Sequence, residues 1–145
     1  YTYSHWNTQQ NYAHYNQPLA HPLGANFSEL LLLLNYRWKK FVIDGKIISS
    51  KYGSDIKGDP FSYGSNVYVN YIDRPADFGI DMYQGNLTTV NIKIFNISYI
   101  VNPKTNLKIN LGVTLRDFKN EDEELQTQFI NFGIKSDLFN HYYDF

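Results

Sequence analysis

The sequence predicts an all-β fold: five to six antiparallel strands that form the C-terminal portion of a larger transmembrane β-barrel with long extracellular loops. Three observations support this prediction. Several long segments alternate apolar and polar residues, as strands do when their two faces meet different surroundings. The connections between these segments are short at one end and long at the other, as in outer-membrane barrels. The chain also ends in Phe145, and a C-terminal aromatic residue is common in such barrels.

Composition narrows the classes of function for the single segment 1–145. It contains no cysteine, which excludes disulfides and thiolate metal sites, and its net charge of -1 argues against a nucleic-acid partner. The chain has 13 Tyr, 10 Phe and 2 Trp. Tyr and Trp combine an apolar body with a polar tip, which suits a membrane interface or a sugar-binding surface. No cofactor is expected.

Two strands are predicted at 27–39 and 40–52, after a loop at 5–26. In the first strand one face is apolar and ends in two aromatic residues, since the residues of one parity are Leu30, Leu32, Leu34, Tyr36 and Trp38. The alternation restarts after Lys39-Lys40, which predicts a tight hairpin.

A long loop at 53–87 leads to strands predicted at 88–101 and 106–118. In the first of these strands the apolar residues occupy even positions up to Ile94 and odd positions from Phe95. This one-residue shift of the alternation predicts a β-bulge. Asn102-Pro103-Lys104-Thr105 is a strong turn signal. The strand after it has the clearest alternation, with one face formed by Leu107, Ile109, Leu111, Val113 and Leu115.

The last strand is predicted at 126–145. A second slip near Leu138 brings Phe139, Tyr143 and Phe145 into the apolar phase. We interpret these three residues as a membrane-assembly signal that the barrel-assembly machinery reads at a periplasmic C-terminus.

Strand periodicity alone does not separate a membrane barrel from a soluble β-sandwich, because both have one apolar and one polar face. The connection lengths favour the membrane barrel. Bacterial barrels have at least about eight strands, and an open edge in lipid leaves backbone groups without hydrogen-bond partners. We therefore expect further strands, from the same barrel or from other outer-membrane proteins, with a possible sixth strand end at Tyr1 to Ser4.

Three segments resemble one family: QNYAHYNQPLAHPLGAN at 10–26, MYQGN at 82–86 and LFNHYYDF at 138–145. They are similar to Bacteroidota outer-membrane β-barrels related to the Wzi capsule-assembly family, some of which are gliding-motility proteins. The resemblance covers essentially the whole chain and matches it to the C-terminal part of the family's longer barrel. It implies an integral outer-membrane protein, with extracellular loops, that serves surface polysaccharide or motility.

The aromatic loops are the candidate carbohydrate-binding site. Sugar C–H faces stack on aromatic rings, while amide and carboxylate groups bind the hydroxyls. The candidates are Trp6, Tyr12, His14, Tyr15, Tyr63, Tyr68 and Tyr71. The alternative is that these rings pack the loops against one another.

Other chemistry is less well supported by the residues. His5, His14 and His21 share a loop but match no metal-ligand spacing, so no metal is expected. Ser4-His5 lacks the partner that a nucleophilic hydroxyl needs, so no catalytic residue is assigned and no enzyme is expected. The acidic run 121–124 is interpreted as a solvated loop tip.

The leading hypothesis is a non-enzymatic outer-membrane protein that binds or organises cell-surface polysaccharide, in gliding motility or capsule attachment. Its partners would be outer-membrane lipid, the barrel-assembly machinery, surface polysaccharide and the remaining strands. One alternative is a structural subunit or client piece docked to outer-membrane assembly or secretion machinery. Another is a soluble β-sandwich binding module.

Overall fold

The computed structural model describes residues 3–136, and in this range the protein is all-β, as the alternation predicts. A two-stranded hairpin is followed by a five-stranded antiparallel sheet. The helical segments among residues 3–136 are two three-residue 3-10 turns, Thr8–Gln10 and Tyr71–Asp73. Within the described range, no helix has the length and hydrophobicity needed to cross a membrane.

The strands of the sheet follow chain order, so each pairs with its sequence neighbours. The small hairpin consists of β1 (Ala13–His14) and β2 (Gln17–Pro18). The sheet has the order β3-β4-β5-β6-β7, with bounds Phe27–Trp38, Phe41–Ser54, Asn86–Asn102, Leu107–Lys119 and Glu124–Lys135. The part of the last predicted strand after 136 lies outside the described residues. Tyr3 and Ser4 are not in a strand, so the described part of the expected sixth strand is not seen.

The short connections form where the sequence predicts them. Lys39 has a φ of 52° in the two-residue turn between β3 and β4, a left-handed conformation that lets this hairpin close tightly. In the turn after β5, the Asn102 side chain accepts the Lys104 backbone N–H at 3.0 Å, and Asn106 has a φ of 50°. The sequence signals the turn chemistry of the second turn through Asn102-Pro103, whereas the first turn is located only from the alternation on either side of it, since Lys-Lys is not a favoured turn pair.

Side-chain contacts across neighbouring strands define the register. Ser50 donates to Glu29 at 3.0 Å, and farther along the same pair of strands Asn35 donates to Asp44. These residues are directly opposite each other in β3 and β4. Because side chains alternate faces along a strand, all four belong to the same face of the sheet.

The predicted β-bulge in β5 is wrong. The register between β4 and β5 is the same on both sides of Ile94. On one side Ser49 donates to Asn91 at 2.8 Å, and on the other side the rings of Phe41 and Tyr99 pack at 5.2 Å. The apolar phase slips because apolar residues change face along an unbroken strand. Val90, Ile92 and Ile94 are half-buried on one face, and three exposed residues follow on the other: Phe95, Ile97 and Tyr99.

The described chain divides into two compact units. The strand unit comprises 31–48, 92–116 and 126–136. The loop unit comprises 3–30, 49–91 and 117–125. Each strand of the sheet contributes residues to both units.

Few apolar side chains are buried among residues 3–136. Val67 is 4% exposed and Ile100 is 2% exposed. The buried polar residues are more numerous: Asn11, Ser50, Ser62, Asn86, Thr88 and Ser98. A soluble β-sandwich instead buries the apolar faces of its sheets against each other.

Candidate functional site

One face of the strand unit is apolar and exposed. Leu111 is 50% exposed, Ile97 is 50% exposed and Phe132 is 75% exposed. The same face continues through further exposed residues on the other strands: Leu32, Leu34, Tyr36, Trp38, Phe41, Phe95, Tyr99, Val101, Ile109, Ile130 and Ile134. Leu107 to Leu115 alone spans nine residues of β6, and a membrane-crossing β-strand needs about 9–11 residues. We call this surface the apolar face.

Aromatic residues gather where the apolar face meets the β3–β4 turn. Trp38 and Phe41 stack with ring centroids 6.3 Å apart, and Phe41 meets Tyr99 at 5.2 Å. Two ammonium groups lie over this group: Lys39 Nζ is 5.1 Å from the Trp38 ring and Lys40 Nζ is 6.0 Å from the Tyr99 ring. Trp and Tyr at the end of an apolar surface, next to lysines, are typical of the boundary between lipid tails and headgroups.

The opposite face of the strand unit carries a row of polar side chains at one depth. Asn35 of β3 donates to Asp44 of β4. At the same level, Gly112 of β6 has no side chain, and the Oδ1 atoms of Asn96 and Asn131 occupy the space where its Cβ would lie. This row, the amide row, is formed by residues of all five strands.

The amide row borders a cleft of about 470 Å³, lined by polar residues (Asn35, Asp44, Lys46 and Asn96) and by Leu33, Leu34, Gly45 and Ile94. One residue pair farther along, Ser98 donates to Asn110 at 2.9 Å. Two pairs of neighbouring polar side chains on this face are therefore hydrogen-bonded to each other.

Charge is strongly separated between the two units. The strand unit contains nine basic side chains and one acidic side chain, Asp44. The described loop unit contains four basic and eleven acidic side chains. The net charge of -1 therefore conceals a basic unit and an acidic unit.

Asn26 holds the loop unit together at the end of the long loop. Its Oδ1 accepts the Tyr83 backbone N–H at 2.7 Å, and its Nδ2 donates to the Gln84 carbonyl at 2.9 Å. Its own carbonyl accepts the Gly53 N–H at 3.1 Å. A Cβ at Gly53 would collide with the Gln84 carbonyl and the Asn26 amide, so this close approach requires glycine.

Tyr63 is fixed by two carboxylates. Its phenol donates to Asp59 at 2.7 Å, and its backbone N–H donates to Asp55 at 2.7 Å. The backbone N–H of Phe61 and then the Tyr63 phenol hold the pKa of Asp59 below its ordinary value of 3.8. The hydrogen bond to Asp59, and secondarily desolvation, raises the pKa of Tyr63 above 10.0. Tyr63 also lines a cleft of about 180 Å³ with Asp81, Met82 and Gln84.

The structure gathers Trp6, Tyr12 and Tyr71 around His5. The His5 ring lies 6.0 Å from the Trp6 ring and 6.2 Å from the Tyr71 ring, the latter edge-on. His5 and Tyr12 line one cleft of about 280 Å³, together with Tyr3, Ser4 and Gln10. Trp6 is 59% exposed and Tyr12 is 53% exposed, so their rings are open to a ligand. We call this group the His5 cluster.

Two partners of the His5 cluster were not identified from the sequence. Tyr3 stacks on Tyr12 with ring centroids 5.9 Å apart. The Arg74 guanidinium lies 5.5 Å from the Tyr71 ring and pairs with Asp77. Arg74 is more than sixty positions from Tyr12, and no local pattern brings such residues together.

Asn11 lies beside the cleft residues and has an unpartnered atom. Its Oδ1 accepts the His5 backbone N–H. Its Nδ2 is buried and is the one such atom among residues 3–136 that lacks a hydrogen-bond partner. An unsatisfied buried donor is costly, so Asn11 gains from any acceptor that reaches it.

The other predicted carbohydrate residues lie elsewhere in the loop unit. The ring of His14, the last residue of β1, packs at 4.3 Å on the ring of Tyr15, the first residue of the turn to β2, in a small hairpin that was not predicted. Its turn residues Tyr15 and Asn16 have φ values of 48° and 58°, which is typical of a two-residue hairpin turn. Tyr68 is 36% exposed in the long loop. The predicted assembly residues Phe139, Tyr143 and Phe145 lie outside the described residues.

The histidines are separate in the described chain. His21 stacks on Phe27 at 4.1 Å and contacts Glu29 at 3.2 Å, whereas His5 and His14 have the partners given above. No group of three or more His, Asp or Glu residues suited to a metal ion occurs among residues 3–136.

Comparison with known proteins identifies no relative: no family model, no curated protein and no solved structure matches this chain.

Proposed function

We propose that this chain supplies strands to an outer-membrane β-barrel and that its loop unit binds or organises cell-surface polysaccharide. The role is non-enzymatic and serves capsule attachment or gliding motility. In this proposal the loops are extracellular, the short turns and the C-terminus are periplasmic, and the barrel-assembly machinery inserts the protein. The resemblance to Wzi-related barrels supports the same location.

The distribution of apolar residues in the strand unit carries the proposal. The apolar face is exposed, whereas the opposite face holds the amide row and the buried Ser98. A soluble β-protein has the reverse arrangement, because water drives apolar side chains into its core. A lipid environment removes that cost for the apolar face and favours polar side chains on the interior face.

Open edges imply further strands. β3 and β7 stand at the two ends of the strand order, so each pairs with one neighbour in the described sheet. Unpaired backbone groups in lipid cost several kcal/mol each, on the order of the transfer cost of an amide. Further strands of the same barrel or of other outer-membrane proteins would remove this cost.

The alternation of faces can be tested with single cysteines, because the chain has none of its own. Cysteine would be placed at Asn96, Ile97, Ser98 and Tyr99 in turn, in protein reconstituted into vesicles. A lipid environment at 97 and 99, and a water-accessible environment at 96 and 98, is the expected result for spin labels probed with oxygen and a nickel chelate. A uniform water-accessible pattern, with a monodisperse protein in plain buffer, would instead support the soluble sandwich.

The His5 cluster is the carbohydrate site that the geometry supports best. It combines the exposed Tyr12 ring with hydrogen-bonding groups at Ser4 and Gln10 around one cleft, and the exposed Trp6 ring lies 6.0 Å from the ring of His5, which lines that cleft. Rings supply stacking surfaces and the polar groups supply partners for hydroxyls.

Glycan binding would be measured on arrays of bacterial surface polysaccharides and by calorimetry. Trp6→Ala and Tyr12→Ala are expected to weaken binding at least tenfold, on the scale of 1.4 kcal/mol per tenfold change. Phe78→Ala is the control, since Phe78 is a loop-unit aromatic residue that is 90% exposed. Equal binding by all variants would argue for the structural or client role at assembly or secretion machinery.

A further inference from the structure

The turn end of the strand unit is basic. Residues 36–43, 99–108 and 131–136 meet at this end, because β3 and β5 lead into the two short turns and β7 finishes beside them. Ser136 donates to the Thr105 carbonyl at 2.8 Å, which places the end of β7 at the second turn. These segments contain no Asp or Glu and six basic residues: Arg37, Lys39, Lys40, Lys104, Lys108 and Lys135.

Three of the lysines belong to the turns themselves. Lys39 and Lys40 form the β3–β4 turn, and Lys104 lies in the β5–β6 turn. Since each ammonium group has three N–H donors and carries a full charge, two such turns form a concentrated site for anions.

The first two lysines are held next to the aromatic group of the apolar face. Lys39 Nζ lies over Trp38 and Lys40 Nζ lies over Tyr99, at 5.1 Å and 6.0 Å from the ring centroids. Cation–π contact at these distances restrains both ammonium groups on the aromatic surface. The positive charges are therefore positioned where the apolar face ends.

This arrangement matches a lipid surface better than a dissolved anion. A phospholipid presents an apolar tail beside a phosphate, and here an exposed apolar face ends in Trp, Tyr and then lysine. A dissolved phosphate has no apolar part that could contact the rings of Trp38 and Phe41, which are 55% and 40% exposed.

We propose that the two short turns bind the phosphate groups of anionic phospholipids, through Lys39, Lys40 and Lys104, while the aromatic group beside them sits at the headgroup level. The inference rests on the proposed membrane location and names the lipid class that the turn end recognises. In the proposed orientation these lipids are those of the periplasmic leaflet.

The test is vesicle flotation of the full chain. Vesicles of phosphatidylcholine alone would be compared with vesicles that also contain phosphatidylglycerol. Attraction of a lysine to an anionic membrane surface amounts to about a fivefold gain in binding per residue. The wild-type chain is expected to prefer the anionic vesicles, and Lys39→Gln/Lys40→Gln/Lys104→Gln is expected to lose most of that preference.

The matched control is Lys51→Gln/Lys57→Gln/Lys119→Gln, which removes the same charge from the loop unit. It should keep the preference. Far-ultraviolet circular dichroism of each variant verifies that the β-structure is retained. A control that loses as much preference as the turn variant would overturn the site, because the effect would then reflect net charge alone.

Three outcomes separate this inference from the proposed location. Equal wild-type binding to both vesicle types overturns the lipid preference and leaves the membrane location standing. Binding to neither type overturns both. Loss of the preference in inorganic phosphate, but not in chloride of equal ionic strength, would assign the site to free phosphate and overturn its assignment to lipid.

Discussion

The Oδ1 atom of Asn131 occupies the space that a side chain at Gly112 would need. Asn96 approaches the same space from the other neighbouring strand. Gly112 is therefore what allows two asparagine side chains from β5 and β7 to meet over β6.

Gly112→Ala should destabilise the sheet by about 1–3 kcal/mol, the usual range for forcing an extra carbon into a packed site. Gly133→Ala is the matched control, because a Cβ there meets nothing within 4 Å. The measurement is the urea midpoint of each variant reconstituted in the same detergent. Equal urea midpoints for the two variants would show that the side chains of the amide row can move aside without loss of stability.

Asn26 should be required for order in the long loop. Asn26→Ala removes the hydrogen bonds to Tyr83 and Gln84, and each such bond contributes about 1 kcal/mol. Faster amide hydrogen exchange is expected at 81–85. Asn26→Asp is the sharper variant, since it keeps the acceptor for the Tyr83 N–H but loses the donor to Gln84. An intermediate exchange rate for this variant is expected, and wild-type rates in both would contradict the role of Asn26.

The stabilising contribution of the Tyr63–Asp59 hydrogen bond should be lost at both low and high pH. Because the folded pKa of Asp59 is lowered from 3.8, its stabilising contribution is present above 3.8 and is lost as pH falls through the folded pKa. Because the pKa of Tyr63 is raised from 10.0, its contribution is complete below 10.0 and is lost as pH rises through the folded pKa.

Tyr63→Phe removes one of the two hydrogen bonds that lower the pKa of Asp59. The pKa of Asp59 should rise towards 3.8 but remain below it, because the Phe61 N–H still donates to this carboxylate. Carboxyl carbon chemical shifts followed against pH give the value. Tyr83→Phe is the control, since that phenol donates to Ser28 instead. An unchanged Asp59 titration in Tyr63→Phe would rule out the phenol as a cause.

A charge on the apolar face should be tolerated in water and costly in lipid. Leu111→Arg is expected to lower stability in vesicles by about 2–4 kcal/mol, the cost of a basic residue on the lipid face near the bilayer midplane. Thr114→Arg, on the face of the amide row, should cost less. Guanidinium unfolding in vesicles and in plain buffer would compare the variants. A larger cost for Thr114→Arg in vesicles would mean that the opposite face meets lipid.

The strands were predictable because their signal is local. The alternation from Leu107 to Leu115 directly predicts β6, and Asn102-Pro103 predicts the turn before it. The bulge between Ile94 and Phe95 was wrong for an instructive reason. A change of apolar phase has two causes, an inserted residue or a change in which face is apolar, and sequence alone does not distinguish them.

The candidate site was predictable by residue type but not by grouping. Aromatic loop residues such as Trp6 and Tyr71 were singled out, yet their meeting at His5 joins two different loops, one before β3 and one between β4 and β5. Tyr3, Asn11 and Arg74 carried no distinguishing local pattern. The separation of charge between the two units was not predictable either, because a net charge of -1 does not show which segments of the chain come together.

The sequence by itself determined the all-β class, the strand positions and the two short turns, since side-chain alternation and turn chemistry act over a few residues. Only the tertiary structure decided which residues face each other across strands: Asn35 with Asp44, Gly112 between two asparagines, and lysines gathered at one end. The physical reason is register. A one-residue change in strand pairing moves every side chain to the opposite face, so cross-strand partners are set by the packing of the whole sheet.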